Sequence, residues 1–324
     1  MNIYVTEEEM MSDQTRREFL KLTGSALAAG GLIQSCGSKE TEAKKWSGFK
    51  YAMCNESMRE LPWYKQCEIV ANAGYKGIEI ASFTLVKESV EELTAEHRKG
   101  LLQAMKDNGL ECAGLHWLLA PPPLGLHFTT PDKAVREKTI AYLNALIDFC
   151  GDLKGEMMIF GSPKQRNAVG ISVDDAKKYF AEGLTAVADH AQQRGVKILV
   201  EHLDHTQTDV VNTFAEAKAI VDDVNHPAIQ MMFDFHNTAD ETEPFDVLIK
   251  RYYNNIFHVH VQEMDGKYLG EGNAVNDFVE AFQLLKDLRY NRWISLEVFD
   301  FAPGGKVIGQ ESMKTLKQIE AKLA

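Results

Sequence analysis

From about residue 48 the chain repeats one two-part unit, a short apolar run followed by a longer stretch with apolar residues at helical spacing. The apolar runs read FKYAM, GIEIA, CAGLHWLL, EMMIFGS, KILVEHL, IQMMFDFHN, IFHVHVQE and WISLEVFD. Between them lie segments such as DDAKKYFAEGLTAVADHAQQRG, whose closing Gly195 marks a helix C-terminus. Parallel neighbours need a crossover, and a helix supplies it. The runs lack full-length alternation, as expected of strands covered by helices on one face and by a core on the other. The pattern predicts an α/β fold, a single-domain (β/α)8 barrel over residues 48–324. A doubly wound open sheet is the alternative, but no GxGxxG or GxxxxGK follows any run.

In such a barrel the residues at the C-terminal ends of the strands face one common site. Six polar side chains close the apolar runs: Glu79, His116, Glu201, Asp234, His260 and Glu297. Four of them, Glu201, Asp234, His260 and Glu297, come from consecutive runs. Three carboxylates and an imidazole in one pocket repel without a cation. One divalent ion removes the conflict, and mixed oxygen and nitrogen donors suit Mn²⁺, Mg²⁺ or Co²⁺ first, with Zn²⁺ admissible. His258 shares a strand face with His260 and reads as a core or orienting residue. Glu263 lies past the strand end, where a solvated position is the default.

The chain of 324 residues, 45% apolar, is long enough for a large core, and its formal charge of −12 excludes a surface built for a phosphate backbone. The expected partner is a small molecule, not a nucleic acid. The N-terminus reads differently. TRREFLKLTGSALAAGGLIQSC places Arg16 and Arg17 before an apolar run too short for a permanent membrane helix, and it resembles a twin-arginine export signal. LIQSC resembles a lipoprotein cleavage box ending at Cys36, with Gln34 an unusual occupant. The expectation is an export signal over 1–36, with Met11 as an alternative start, then a polar tether over 37–47. Membrane contact would be limited to a lipid on Cys36; simple cleavage would instead release a periplasmic protein. Cys54, Cys67, Cys112 and Cys150 lack metal spacing and read as small buried hydrophobes.

ILVEHLDH, MMFDFHNT, FHVHVQEMDGKYLGEG and ISLEVFDFAPGG, in this order, resemble the sugar isomerase/epimerase family with the xylose isomerase-like TIM barrel. The resemblance covers about residues 48–322. It implies that Glu201, Asp234, His260 and Glu297 hold the metal and that Glu201 and Glu297 double as the acid/base pair. Proton abstraction beside a carbonyl, through a metal-stabilised enediolate, then gives epimerisation or isomerisation of a keto-sugar; loss of a neighbouring oxygen gives a lyase or hydratase instead. Homo-oligomerisation stays open. The chain departs from the ketose epimerases in three places. DFHN sets His236 two residues and Asn237 three residues after Asp234, where those enzymes carry Asp-x-x-His, so either contacts substrate. Gln207 stands where they have Glu, and Gly266 followed by Lys267 stands where they have Arg. An oxidised or glycosylated sugar thus remains open.

Further substrate candidates are His116, Glu79 and Lys267, with Lys164 and Arg166 after the fourth strand. Trp117 reads as packing or as a sugar-stacking wall. His202 and His205 flank Glu201, and one of them is expected to orient it. PPPLGLH marks a turn-rich loop, with a lid as its functional alternative. A noncatalytic carbohydrate-binding lipoprotein would be betrayed by a missing carboxylate, and none is missing.

Overall fold

The computed structural model describes residues 46–324. The expected export signal, Cys36 and most of the expected tether lie outside the described residues. The expected eight strands form: β1 Lys50–Cys54, β2 Gly77–Ala81, β3 Glu111–His116, β4 Met157–Phe160, β5 Lys197–Val200, β6 Ile229–Asp234, β7 Ile256–Val261 and β8 Trp293–Leu296. They pair in parallel, each with its sequence neighbours, and β8 returns to β1 to close the barrel. Closure removes the unpaired sheet edges.

The helices lie between the strands: α1 Trp63–Ala73, α2 Ala95–Asp107, α3 Lys133–Asp152, α4 Val173–Arg194, α5 Phe214–Val224, α6 Phe245–Tyr252, α7 Ala274–Asp277, α8 Val279–Asp287 and α9 Gly305–Ala321. Local chemistry explains their limits. In α4 the Ser172 hydroxyl accepts from the Asp175 N–H at the start, and Gly195 takes the left-handed φ of 72° at the end. Ala176, Phe180, Leu184, Val187 and Ala191 form its buried stripe. Among the described residues no helix is long and apolar enough to cross a membrane.

Inside the barrel, Ala52, Ala113, Met157, Ile159, Leu199, Met232 and Trp293 pack as one apolar cluster. Because side chains alternate along a strand, residues two beyond Leu199 and Met232 also point inward. These are Glu201 and Asp234. From β3 to β8 the strands end sooner than their apolar runs, yet pairing persists one residue further at two of them: the Glu201 N–H donates to the Phe160 carbonyl and the Glu297 N–H to the Val261 carbonyl, both at 3.3 Å. The last rung therefore fixes two carboxylates before the chain turns into loops.

Candidate active site

At the C-terminal end of the barrel Glu201, Asp234, His260 and Glu297 each bring one donor atom within 4.8 Å of the others, and all four are buried. Burial pushes Glu201 well above the ordinary carboxylate range, and Glu297 and Asp234 beside it push further. Asp234 is pushed up to about 6 by burial, with Glu297 adding to the rise against the opposing pull of His260. Burial acts upward on Glu297 too, but the charge of the adjacent His260 outweighs it and brings the carboxyl below its usual value. Nδ1 of His260 lies 3.0 Å from Oε2 of Glu297 yet makes no aligned hydrogen bond. A buried ring nitrogen without a partner, facing three carboxylates, fits a hard divalent ion with mixed oxygen and nitrogen ligands.

A second layer supports this cluster from below. Nε2 of His260 is 3.0 Å from Glu79 Oε1, and Nε2 of His258 is 2.8 Å from Glu79 Oε2. Glu79 is fully buried, and the two histidines hold it well below the carboxylate range although burial opposes them. An imidazole anchored at one nitrogen presents the other in a fixed direction. His116 belongs to the same layer, with Nε2 2.8 Å from Glu56 Oε2 and Nδ1 3.4 Å from Glu79 Oε1. Thus Glu79 and His116, both substrate candidates from the sequence, lie beneath the cavity rather than in its wall. Glu56 escaped sequence reading, because it follows the FKYAM run by three residues with no local motif to distinguish it. Cys54 is near enough to Glu56 and His116, and to Glu79 and His260, to form two smaller buried donor groups.

A cavity of about 440 Å³ opens above the cluster, with Glu201, Glu297, His236 and Asn237 in its wall. Asn237 is tied inward: its Nδ2 donates to Glu201 Oε1 (3.1 Å) and Asp234 Oδ2 (2.9 Å), and its Oδ1 accepts from Gln207 Nε2 (2.7 Å). His236 is the freer of the two, with Nδ1 3.0 Å from the Met264 carbonyl. Trp117 Nε1 donates to Glu297 Oε1 at 2.8 Å, so this tryptophan holds a site carboxylate. Lys267 pairs with Asp265 at 3.0 Å and is not in the cavity lining.

Other flanking residues have different duties. Arg166 is wholly buried and donates to the carbonyls of Phe160, Glu201 and Val211, bracing the β4 and β5 ends instead of meeting solvent. His202 packs on Phe214, with ring centroids 3.9 Å apart, and neither of its nitrogens has a hydrogen-bond partner. His205 pairs with Asp240. Glu263 is buried rather than solvated, accepting the N–H groups of Gly270 and Ala274.

A family profile described as xylose isomerase-like TIM barrel matches residues 67–319. The chain belongs to that family. Among its relatives, a probable ketose 3-epimerase of Synechocystis is 26% identical over 222 residues, spanning 60% of this chain and 74% of that protein. A D-psicose 3-epimerase of Agrobacterium fabrum is 26% identical over 249 residues, spanning 75% and 81%. The crystal structure of D-psicose 3-epimerase with D-tagatose from Clostridium cellulolyticum superposes with a TM-score of 0.73 at 20% identity, covering 85% of this chain and 99% of that one. The last likeness establishes the shared xylose isomerase-like architecture.

Proposed function

We propose that this family member is a divalent-metal-dependent isomerase or epimerase of a keto-sugar, moving a proton at the carbon beside the carbonyl. The observation that carries the reading is the meeting of Glu201, Asp234, His260 and Glu297 within 4.8 Å below an open cavity. Relatives named ketose 3-epimerases and inosose isomerases support it. A divalent ion held by these four residues, Mn²⁺, Mg²⁺ or Co²⁺ by its donor set, supplies Lewis-acid stabilisation of the negative charge that develops on the carbonyl oxygen.

The protein's own groups do the rest. Glu201 and Glu297 enter from the ends of β5 and β8 and both line the cavity, so each offers a carboxylate to a bound sugar. One removes the proton as general base, and the other returns it to complete an epimerisation. Their orientations are set by neighbours: Asn237 donates to Glu201, and Trp117 donates to Glu297. His236, anchored through Nδ1, keeps Nε2 for a substrate hydroxyl. A lyase or hydratase on the same residues is the second reading. Gln207, which stands in place of the epimerase Glu and is bound to Asp204 (2.5 Å) and Asn237, argues against a simple free-ketose 3-epimerase and for a different, oxidised or glycosylated, sugar. We further propose that the enzyme is exported and acts in the periplasm or on a lipid anchor.

Elemental analysis of purified protein tests the metal assignment. One divalent ion per chain is expected in the wild type, and Asp234→Asn or His260→Ala should lose it while the circular-dichroism spectrum is kept. Full occupancy in both variants would refute the ligand set.

A further inference from the structure

The barrel has a second end. At its N-terminal end, opposite the four donors, lies a hollow of about 410 Å³ bounded by the starts of β4, β5, β7 and β8, inside the roughly 300–1,000 Å³ range of small-molecule sites. Met157 and Trp293 of the interior apolar cluster reach it, and Phe257, also in its lining, packs against that cluster. Its charged residues are the unusual part.

Lys197 precedes Leu199 by two residues, so strand alternation turns it to the inward face at the first residue of β5. Arg292 stands directly before β8. Both cations lie over the Phe257 ring, the Arg292 guanidinium 3.8 Å and the Lys197 ammonium 4.9 Å from its centroid, which holds them near one another. Burial lowers Lys197 from its ordinary value of 10.5, and the charge of Arg292 lowers it further. Nothing among the described residues offsets this repulsion. Glu156, the carboxylate in the lining, makes no ion pair with either cation, and Lys50, over the Trp293 ring at 4.1 Å, is a third cation already paired with Glu111 at 3.5 Å. A concavity with two unneutralised cations stands out in a chain of net charge −12.

Their donors are only partly used. Lys197 Nζ donates to the Pro227 carbonyl at 2.9 Å, and Arg292 Nη1 donates to the Ile256 carbonyl. Two ammonium protons and the Nε–Nη2 edge of the guanidinium have no acceptor among the described residues. That edge carries two parallel N–H groups, the fork that the two oxygens of a carboxylate match.

We propose that the N-terminal end of the barrel binds a small carboxylate with a flat apolar body: its oxygens take the Nε–Nη2 edge of Arg292 and a free proton of Lys197, and its body lies against Phe257 and Trp293. Inorganic phosphate would satisfy the cations but leave the apolar surface to water, and a neutral aromatic would do the reverse. The site stands apart from the keto-sugar reading and does not depend on it.

Calorimetry on the Mn²⁺-loaded chain at constant ionic strength tests it, with sodium benzoate as the probe. One benzoate per chain should bind, at least about tenfold more tightly than benzyl alcohol or inorganic phosphate, the worth of one charge-assisted hydrogen bond. Arg292→Lys keeps the charge without the fork, and Lys197→Gln keeps a donor without the charge. Each should weaken benzoate by about tenfold or more, with the circular-dichroism spectrum and Mn²⁺ stoichiometry unchanged. Absence of saturable binding, or equal affinity for phosphate or benzyl alcohol, overturns the proposal. So does benzoate affinity undiminished in either folded variant, which would place the anion elsewhere, the metal centre included.

Discussion

The four donors could be read from the sequence because each obeys one simple rule: it is the inward-pointing polar residue where an apolar run ends. Glu201 follows Leu199 by two residues and Asp234 follows Met232 by two, and both leaders sit in the barrel core. The supporting residues obey no such rule. Glu56 and the Trp117 bond to Glu297 depend on how separate loops fold over the strand ends, which no local pattern encodes. Gly161 illustrates the same limit. A Cβ at this position would lie 2.2 Å from Glu201 Oε2, so the absence of a side chain is what leaves room for the carboxylate. Gly161→Ala should displace Glu201 and weaken divalent-ion affinity by about 10–100-fold, the usual effect of disturbing a ligand's support, while the fold is retained. Titration calorimetry with Mn²⁺ checks this, and an unchanged affinity would mean that Glu201 does not coordinate from its present position.

Helices and strands were legible to different degrees. The α4 stripe and its closing glycine appear directly in the sequence, whereas each of the four runs that carry Glu201, Asp234, His260 and Glu297 was read longer than its strand, because ladder pairing stops while apolar character continues into the buried loops. Ties between helices were not readable at all. Asp152, the last residue of α3, accepts from Arg98 of α2 at 2.8 Å and from Arg194 of α4 at 2.6 Å. Partial burial works against its ionisation, but the two guanidinium groups outweigh it and hold the carboxyl below its ordinary value of 3.8. A carboxylate with a depressed folded-state value stabilises the fold above its unfolded value and loses that contribution as pH falls through the folded one. Asp152→Asn should therefore melt below the wild type at neutral pH, and the gap should narrow as the pH falls below 3.8. A gap independent of pH would assign the effect to packing.

At the scale of the whole molecule, the barrel was readable because eight repeats of one unit admit few closed arrangements, and the family profile agrees with it. The choice of sugar was not readable, since it depends on the cavity that loops from separate repeats enclose. The expected export rests on the paired guanidinium groups of Arg16 and Arg17. Lysine keeps their charge but not their planar, forked donors. Replacing both arginines with lysine should hold the precursor inside the cell, as followed by fractionation; undiminished delivery would rule out the twin-arginine route.

Proton transfer by Glu201 and Glu297 is the central claim, and solvent isotope incorporation reads it most directly. Metal-loaded wild type, Glu201→Gln and Glu297→Gln are incubated in deuterated water with a ketose or keto-glycoside that the wild type converts. The wild type should place deuterium on the carbon beside the carbonyl. Each variant should lose several orders of magnitude in turnover, because glutamine keeps much of the polar contact but cannot act as a base. In a two-base epimerase each variant should still exchange the proton on the face of its remaining glutamate without completing inversion. Near wild-type turnover in both variants, or product formed by the wild type without solvent deuterium, would contradict the account.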